Sequence, residues 1–284
     1  MGGLSGRTAF VTGAARGQGR AHALKLAEHA ADLVLCDIGH DLDTVPYPLG
    51  TSEQLKETAQ AVEALDRRVV FAEADVRVQA DVDAIVARGL AEFGKIDIVI
   101  ANAGIWSLGP FWEMSEQQWG DMIETNLSGI WRTIKAVVPQ MIERQSGAIV
   151  MTSSSNGYEP GRHFAHYTAA KHGVHGLMRA VALDLAPFGI RVNAVAPGAV
   201  DTGMTNWQGA YDMYAGHPGG TREEFIQGSR HFHALKGHAA LNPEAIADAA
   251  AWLVSDQAST VTGIVVPVDA GHLILPGVNP APVV

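Results

Sequence analysis

The stretch "VTGAARGQGRA" (Val11–Ala21) sets three glycines, Gly13, Gly17 and Gly19, between a short apolar run and a helix-length segment. Glycines at that junction let the backbone approach a pyrophosphate, whose charge a helix N-terminus favours. Arg16 and Gln18 belong to the same loop. Alone, the glycines would also fit a tight strand-to-helix turn that holds nothing. The next apolar run, "DLVLCD" (32–37), strengthens the ligand reading because it ends in Asp37, 24 residues after Gly13. A carboxylate there can grip both ribose hydroxyls of an adenosine, and Ile38 beside it joins the same candidate cofactor edge. Asp37 would repel a 2′-phosphate and so favours NAD over NADP, whereas the cation Arg16 pulls toward NADP.

Outward from this loop, the same alternation runs to the end of the chain. Strands are expected near 7–12, 32–37, 69–74, 96–101, 147–152, 190–195 and 263–268. Helical patterns fall near 17–30, 51–66, 78–93, 115–144, 166–187 and 243–255, with start signals "TSEQ" and "NPEA". Alternation of this kind predicts right-handed βαβ units and a parallel sheet of about seven strands covered by helices on both faces. No linker, charge block or internal repeat divides it, so residues 1–284 are expected to form one α/β domain. Two irregular stretches stand out, 38–50 and about 201–241; loops of such length in a compact domain are usually functional or disordered.

Composition narrows the partners. The 284 residues carry 20 Lys plus Arg against 30 Asp plus Glu, a net charge of −10, which disfavours nucleic acid and anionic lipid surfaces. Apolar residues make up 47%, enough for a substantial core. Cys36, the sole cysteine, has no internal disulfide partner and sits in an apolar run, as expected of a buried thiol in a reducing compartment. With no secretory leader or membrane span in the pattern, a soluble, cytoplasmic protein is expected.

Chemistry concentrates in "SSSNGYEPGRHFAHYTAAKH" (Ser153–His172). Tyr167 and Lys171, four apart at the start of a helical segment, share a face. A phenol titrates near about 10, and a neighbouring ammonium lowers that value, making an acid/base for use near neutrality. Ser154, at the carboxyl edge of the fifth strand, can hold a substrate oxygen while Tyr167 moves the proton. The histidines 163, 166, 172 and 175 include pairs three apart, but without neighbouring cysteines they are read as surface or helix-facing groups, and no metal is expected.

The chain resembles the short-chain dehydrogenase/reductase family over nearly its whole length. The resemblance rests on "TGAARGQG" as the cofactor loop, "NAG" (102–104), "SS" (153–154), "YTAAK" (167–171) and "PG" (197–198). It implies a single-domain Rossmann fold and a catalytic set of Asn126, Ser154, Tyr167 and Lys171, with the spacing to Tyr167 selecting Ser154 over Ser153 and Ser155. In that family Ser154 would polarise the substrate oxygen and Tyr167 would exchange its proton. Lys171 would bind the nicotinamide ribose and lower the tyrosine pKa, while Asn126 would fix a relay water. Asp75 and Val76 would meet the adenine, and Asn102, Ala103 and Gly104 the adenosine side. Pro197, Gly198, Val200 and Thr202 would border the nicotinamide. From the residues alone, the competing readings are a helix kink or cap for Asn126 and a turn residue for Asp75.

The segment after Thr202 occupies the family's substrate lid. Its aromatic residues, Trp207 among them, would cover a hydrophobic ligand or else serve as core or subunit contacts. Trp106, Ser155 and Tyr158 are further substrate-pocket candidates. The insertion at 38–50, with "GAARGQGRAH", is similar to a carveol dehydrogenase-like branch, often called mycofactocin-coupled. That branch implies NAD, a cyclic or terpene-like secondary alcohol with its ketone, and an external redox carrier; the wider family implies a homotetramer. An NADPH-dependent ketone reductase and a non-catalytic nicotinamide-binding sensor are the alternatives.

Overall fold

A computed structural model describes residues 3–283. Seven parallel strands form one sheet in the order β3-β2-β1-β4-β5-β6-β7. They are β1 (Thr8–Thr12), β2 (Asp32–Asp37), β3 (Val69–Glu73), β4 (Ile98–Ala101), β5 (Gly147–Thr152), β6 (Ile190–Pro197) and β7 (Val265–Val268). β1 and β4 are buried throughout, because helices cover both faces and leave no side of the strand for polar residues. Phe10 has no exposed surface at all, which contributes about 1.5–3 kcal/mol.

One apolar layer joins the sheet to α1 (Gly17–Glu28), α2 (Ser52–Glu63) and α9 (Pro243–Val254). The opposite layer joins it to α3 (Gln79–Phe93), α5 (Gly129–Arg144) and α6 (Ala165–Leu185). The chain winds outward from β1 in one direction and from β4 in the other. A crevice therefore opens at the carboxyl ends of these two strands, the usual ligand position in such sheets.

The strands and long helices fall where the sequence predicts them, with instructive differences. α2 starts on a reciprocal capping box between Thr51 and Gln54. Asn242, expected to cap α9, makes no side-chain cap; Pro243 in the first turn supplies the start instead. The expected helix 115–144 is α4 (Glu116–Ile123) and α5 joined through one π-helical turn, Glu124–Ser128. The 201–241 stretch contains α7 (Gln208–Ala215) and α8 (Arg222–Arg230), and a bridge between Val200 and Leu241 closes its base. Residues 38–50 stay irregular, yet Val45, Tyr47 and Leu49 are buried in a third apolar cluster with Trp106, Phe164 and Tyr167. Among the described residues, no helix is long and apolar enough to cross a membrane.

Candidate active site

The crevice is a cleft of about 530 Å³ lined from both sides of the β1/β4 reversal. Its floor is the glycine loop. Gly13 and Gly17 have left-handed φ of 68° and 53°. A Cβ on Gly13 would lie 2.9 Å from Ala103 Cα, and one on Gly19 would collide with the Gly13 carbonyl oxygen. Backbone thus crosses backbone where a pyrophosphate has to approach, and α1 begins at that point. Gln18 keeps a buried Oε1 without a partner, a polar atom free for a ligand.

Asp37 ends β2 with its carboxylate already placed: Oδ2 accepts from Ala15 N–H (2.8 Å) and Oδ1 from Ile38 N–H (2.8 Å). Burial raises its pKa, while those two bonds and the nearby Arg16 charge oppose the rise. A carboxylate has about four lone-pair positions, so two remain for ribose hydroxyls. Gly50 makes the room, since a Cβ there would sit 2.7 Å from Asp37 Oδ1. Arg16, which the sequence left open as a 2′-phosphate ligand, is engaged by the Pro48 carbonyl and lies 6.0 Å over the Tyr47 ring.

Thr12 ties the next wall: its Oγ1 accepts from the N–H groups of Asn102 (3.0 Å) and Ala103 (3.1 Å). Asp75 is gripped by the Arg77 guanidinium (2.7 Å), which holds its carboxyl below the ordinary range against the opposing effect of burial. All the residues named from the sequence for the cofactor line this cleft, and they fit a dinucleotide: glycine floor, ribose carboxylate and open polar atoms.

At the other end stand Ser154, Tyr167 and Lys171, all cleft-lining and all buried. α6 carries Tyr167 and Lys171 one turn apart, and the end of β5 delivers Ser154. The Ser154 hydroxyl lies beside the Tyr167 phenol and favours its charged form. Lys171 Nζ donates to the Thr152 carbonyl (2.9 Å) and lies 5.4 Å from the Tyr167 ring centre.

The electrostatics differ from the sequence expectation. Burial pushes Tyr167 up to about 12, opposed by the Ser154 hydroxyl, rather than the lysine pulling it down. Burial also takes Lys171 down to about 7. In this dry setting, desolvation of each charged form outweighs the pairing that spacing alone implied.

Asn126 supports the loop that follows β4. It sits fully buried in the π-turn, where its Oδ1 accepts from Ile105 N–H (3.1 Å) and its Nδ2 donates to the Ile105 (3.0 Å) and Met122 (3.1 Å) carbonyls. Its side chain fixes the loop after β4, and one lone pair of Oδ1 is left without a protein donor among the described residues. The π-turn also leaves a main-chain carbonyl outside the i→i−4 ladder, a second acceptor at this position.

The substrate candidates separate. Trp106 and Ser155 line the cleft. Trp207 stands behind the wall, its ring 5.7 Å from Trp106 and 6.0 Å from Tyr47. Tyr158 points away: it is 43% exposed, donates to the Val265 carbonyl (3.2 Å) and packs on His175. From the lid, Met213, Tyr214 and Phe232 reach the cleft, while Phe225 is the lid's own core. Of the histidines, His163 lines the cleft, His166 bonds Ser107 (3.0 Å) and His172 bonds the Thr168 carbonyl (3.0 Å).

Sequence reasoning missed Tyr47, Thr125, Glu159 and His272, which also line the cleft. For Tyr47 a signal existed, the alternate burial-prone residues of "VPYPL".

Comparison with known proteins agrees with this geometry. A family profile described as short chain dehydrogenase matches residues 7–211. The chain is 43% identical over 272 residues to (-)-trans-carveol dehydrogenase of Rhodococcus erythropolis, covering 94% of this chain and 98% of that one. It is 42% identical over 279 residues to an uncharacterized NAD-dependent oxidoreductase of Mycobacterium tuberculosis, covering 96% and 98%. The crystal structure of carveol dehydrogenase from Mycobacterium avium in complex with NAD superposes with a TM-score of 0.93 at 40% identity, over 97% of this chain and all of that one.

Proposed function

The chain belongs to the short-chain dehydrogenase family and is an NAD-dependent oxidoreductase, and on that footing we propose that it interconverts a hydrophobic, cyclic secondary alcohol and its ketone. The observation that carries this is the meeting of Ser154, Tyr167 and Lys171 on one wall of the cleft, all three buried. NAD, when bound, would supply the acceptor for the hydride of the carbinol carbon. Ser154 holds the substrate oxygen, and Tyr167 takes its proton in oxidation or returns it in reduction. Lys171, anchored on Thr152, would hold the nicotinamide ribose and, when protonated, stabilises the phenolate. Asn126 fixes the loop after β4 and keeps an Oδ1 lone pair for a relay water. Trp106 and Phe164, 5.7 Å apart, keep the reacting end dry and match an apolar ring.

Supporting a self-assembly role for the long helices, Trp119 on α4 and Trp131 on α5 are 46% and 44% exposed; the reading includes a homotetramer built on this face, in the cytoplasm. The test is NADH formation against a panel of cyclic secondary alcohols, with Tyr167→Phe alongside. The variant should bind NAD with unchanged affinity and lose at least about 10²-fold in kcat. Turnover that survives the substitution overturns the proton-transfer assignment.

A further inference from the structure

Beyond Ser154 and Tyr167 the cleft runs between the apolar lid residues Met213, Tyr214 and Phe232 and the segment 159–164. Against that wall stands an unexpected charged group. Glu159 lines the cleft and meets His272 Nε2, 113 residues away in sequence. His272 is only 8% exposed; its Nδ1 donates to the Phe232 carbonyl (3.0 Å), and its ring packs 5.3 Å from the Phe232 ring. The imidazole is therefore fixed from two sides and presents Nε2 to the carboxylate.

The backbone under Glu159 is fixed as well. His163 holds a φ of +69°, rare and strained for a residue with a side chain. Its carbonyl accepts from Gly109 N–H (2.7 Å), and Gly161 N–H donates to Thr168 Oγ1 (3.3 Å). The Glu159 side chain is 39% exposed, so its carboxylate reaches both water and the cleft. His272 Nε2 meets Oε1, a bond that, with Nδ1 donating to Phe232, requires a hydrogen on both ring nitrogens. Oε2 has no protein partner among the described residues, although its residue faces the cleft.

We infer that Glu159, held by His272, is a specificity-determining residue that accepts a hydrogen bond from a second hydroxyl of the substrate, so that alicyclic diols are preferred to mono-alcohols. This rests on the alcohol dehydrogenase reading above and names its substrate class more closely. Because the acceptor is oriented before the substrate arrives, little ordering entropy is lost when it is used. A clasp serving only to tie the 159–164 segment to the residues after β7 would give no such preference.

The experiment compares cyclohexanol with cyclohexane-1,3-diol and -1,4-diol in the wild type and in Glu159→Gln, which keeps the shape but turns an amide N–H₂ where the free oxygen was. The wild type should favour at least one diol by about tenfold or more in kcat/KM, expressed in KM, as a hydrogen bond to a charged group does. In the variant, that ratio should fall to within about threefold of one. A wild-type ratio near one, or a variant that loses all three alcohols by the same factor, overturns the inference. Binding is read separately by tryptophan fluorescence in NAD-saturated Tyr167→Phe protein, since Trp106 lines the cleft. Tighter binding of a diol without turnover in the wild type would refute the activity reading and keep this one. Equal binding, or none, refutes this one.

Discussion

Lys171→Met tests whether burial governs the electrostatics of the reacting end. Lys171 is 3% exposed, no carboxylate among the described residues pairs with it, and burial lowers its pKa from 10.5 to about 7. Between those two values the unfolded chain keeps a proton that the folded protein has released, so stability rises with pH across that window. At one pKa unit per about 1.4 kcal/mol, holding this lysine in the fold costs about 4 kcal/mol at pH 7 and about 2 kcal/mol at pH 9. Methionine fills the same length without a charge, but it leaves the Thr152 carbonyl without its donor, a loss of about 1–3 kcal/mol. The variant should therefore be more stable than the wild type at pH 7 by about 1–3 kcal/mol and lose about 2 kcal/mol of that advantage by pH 9. Urea unfolding of both proteins at several pH values, at one fixed NAD concentration, reads the difference while other groups cancel. Stability curves that run parallel in pH would refute the reasoning.

Asp37→Ala removes the ribose carboxylate and its two backbone bonds; NAD should bind at least about tenfold more weakly, with a smaller loss for NADP, as measured by calorimetry. An unchanged preference would show that Asp37 does not read the ribose. Two glycines should respond in opposite directions. Gly19→Ala forces a Cβ into the Gly13 carbonyl and should lower both thermal midpoint and NAD affinity, whereas Gly120→Ala, on α4 with open space around it, should stabilise by about 0.5–1 kcal/mol. Calorimetric scans of the two variants decide it, and a Gly19→Ala protein with wild-type midpoint would refute the close-approach argument.

The strands were legible because a parallel strand buried on both faces is apolar along its whole length, as in "IVIA" of β4. Tyr167 and Lys171 were legible because helical spacing alone places them together. What the sequence hid was mostly desolvation and distance. The direction of the Tyr167 shift depends on how dry the cleft is, which no spacing encodes. Glu159 and His272 meet across 113 residues, without any local pattern. Asn126 carries no sign that its side chain bonds Ile105 instead of facing solvent. The lid helix α8 did carry a signal, the Thr221–Glu224 capping box in "TREE", but the glycines and polar residues around it masked the helical period.

One bond links regions that would otherwise be treated separately. The Tyr47 hydroxyl, from the insertion that follows β2, accepts from Trp106 N–H (2.8 Å) in the loop after β4, and both rings lean on Trp207. The cover of the cofactor half and the wall of the substrate half are therefore one piece of structure. The bond from Trp106 is a main-chain one and survives replacement of its side chain, whereas replacing Trp207 removes the ring on which both neighbours lean. Engineering libraries that change Trp207 should therefore vary Tyr47 and Trp106 with it, because the three rings pack as one unit.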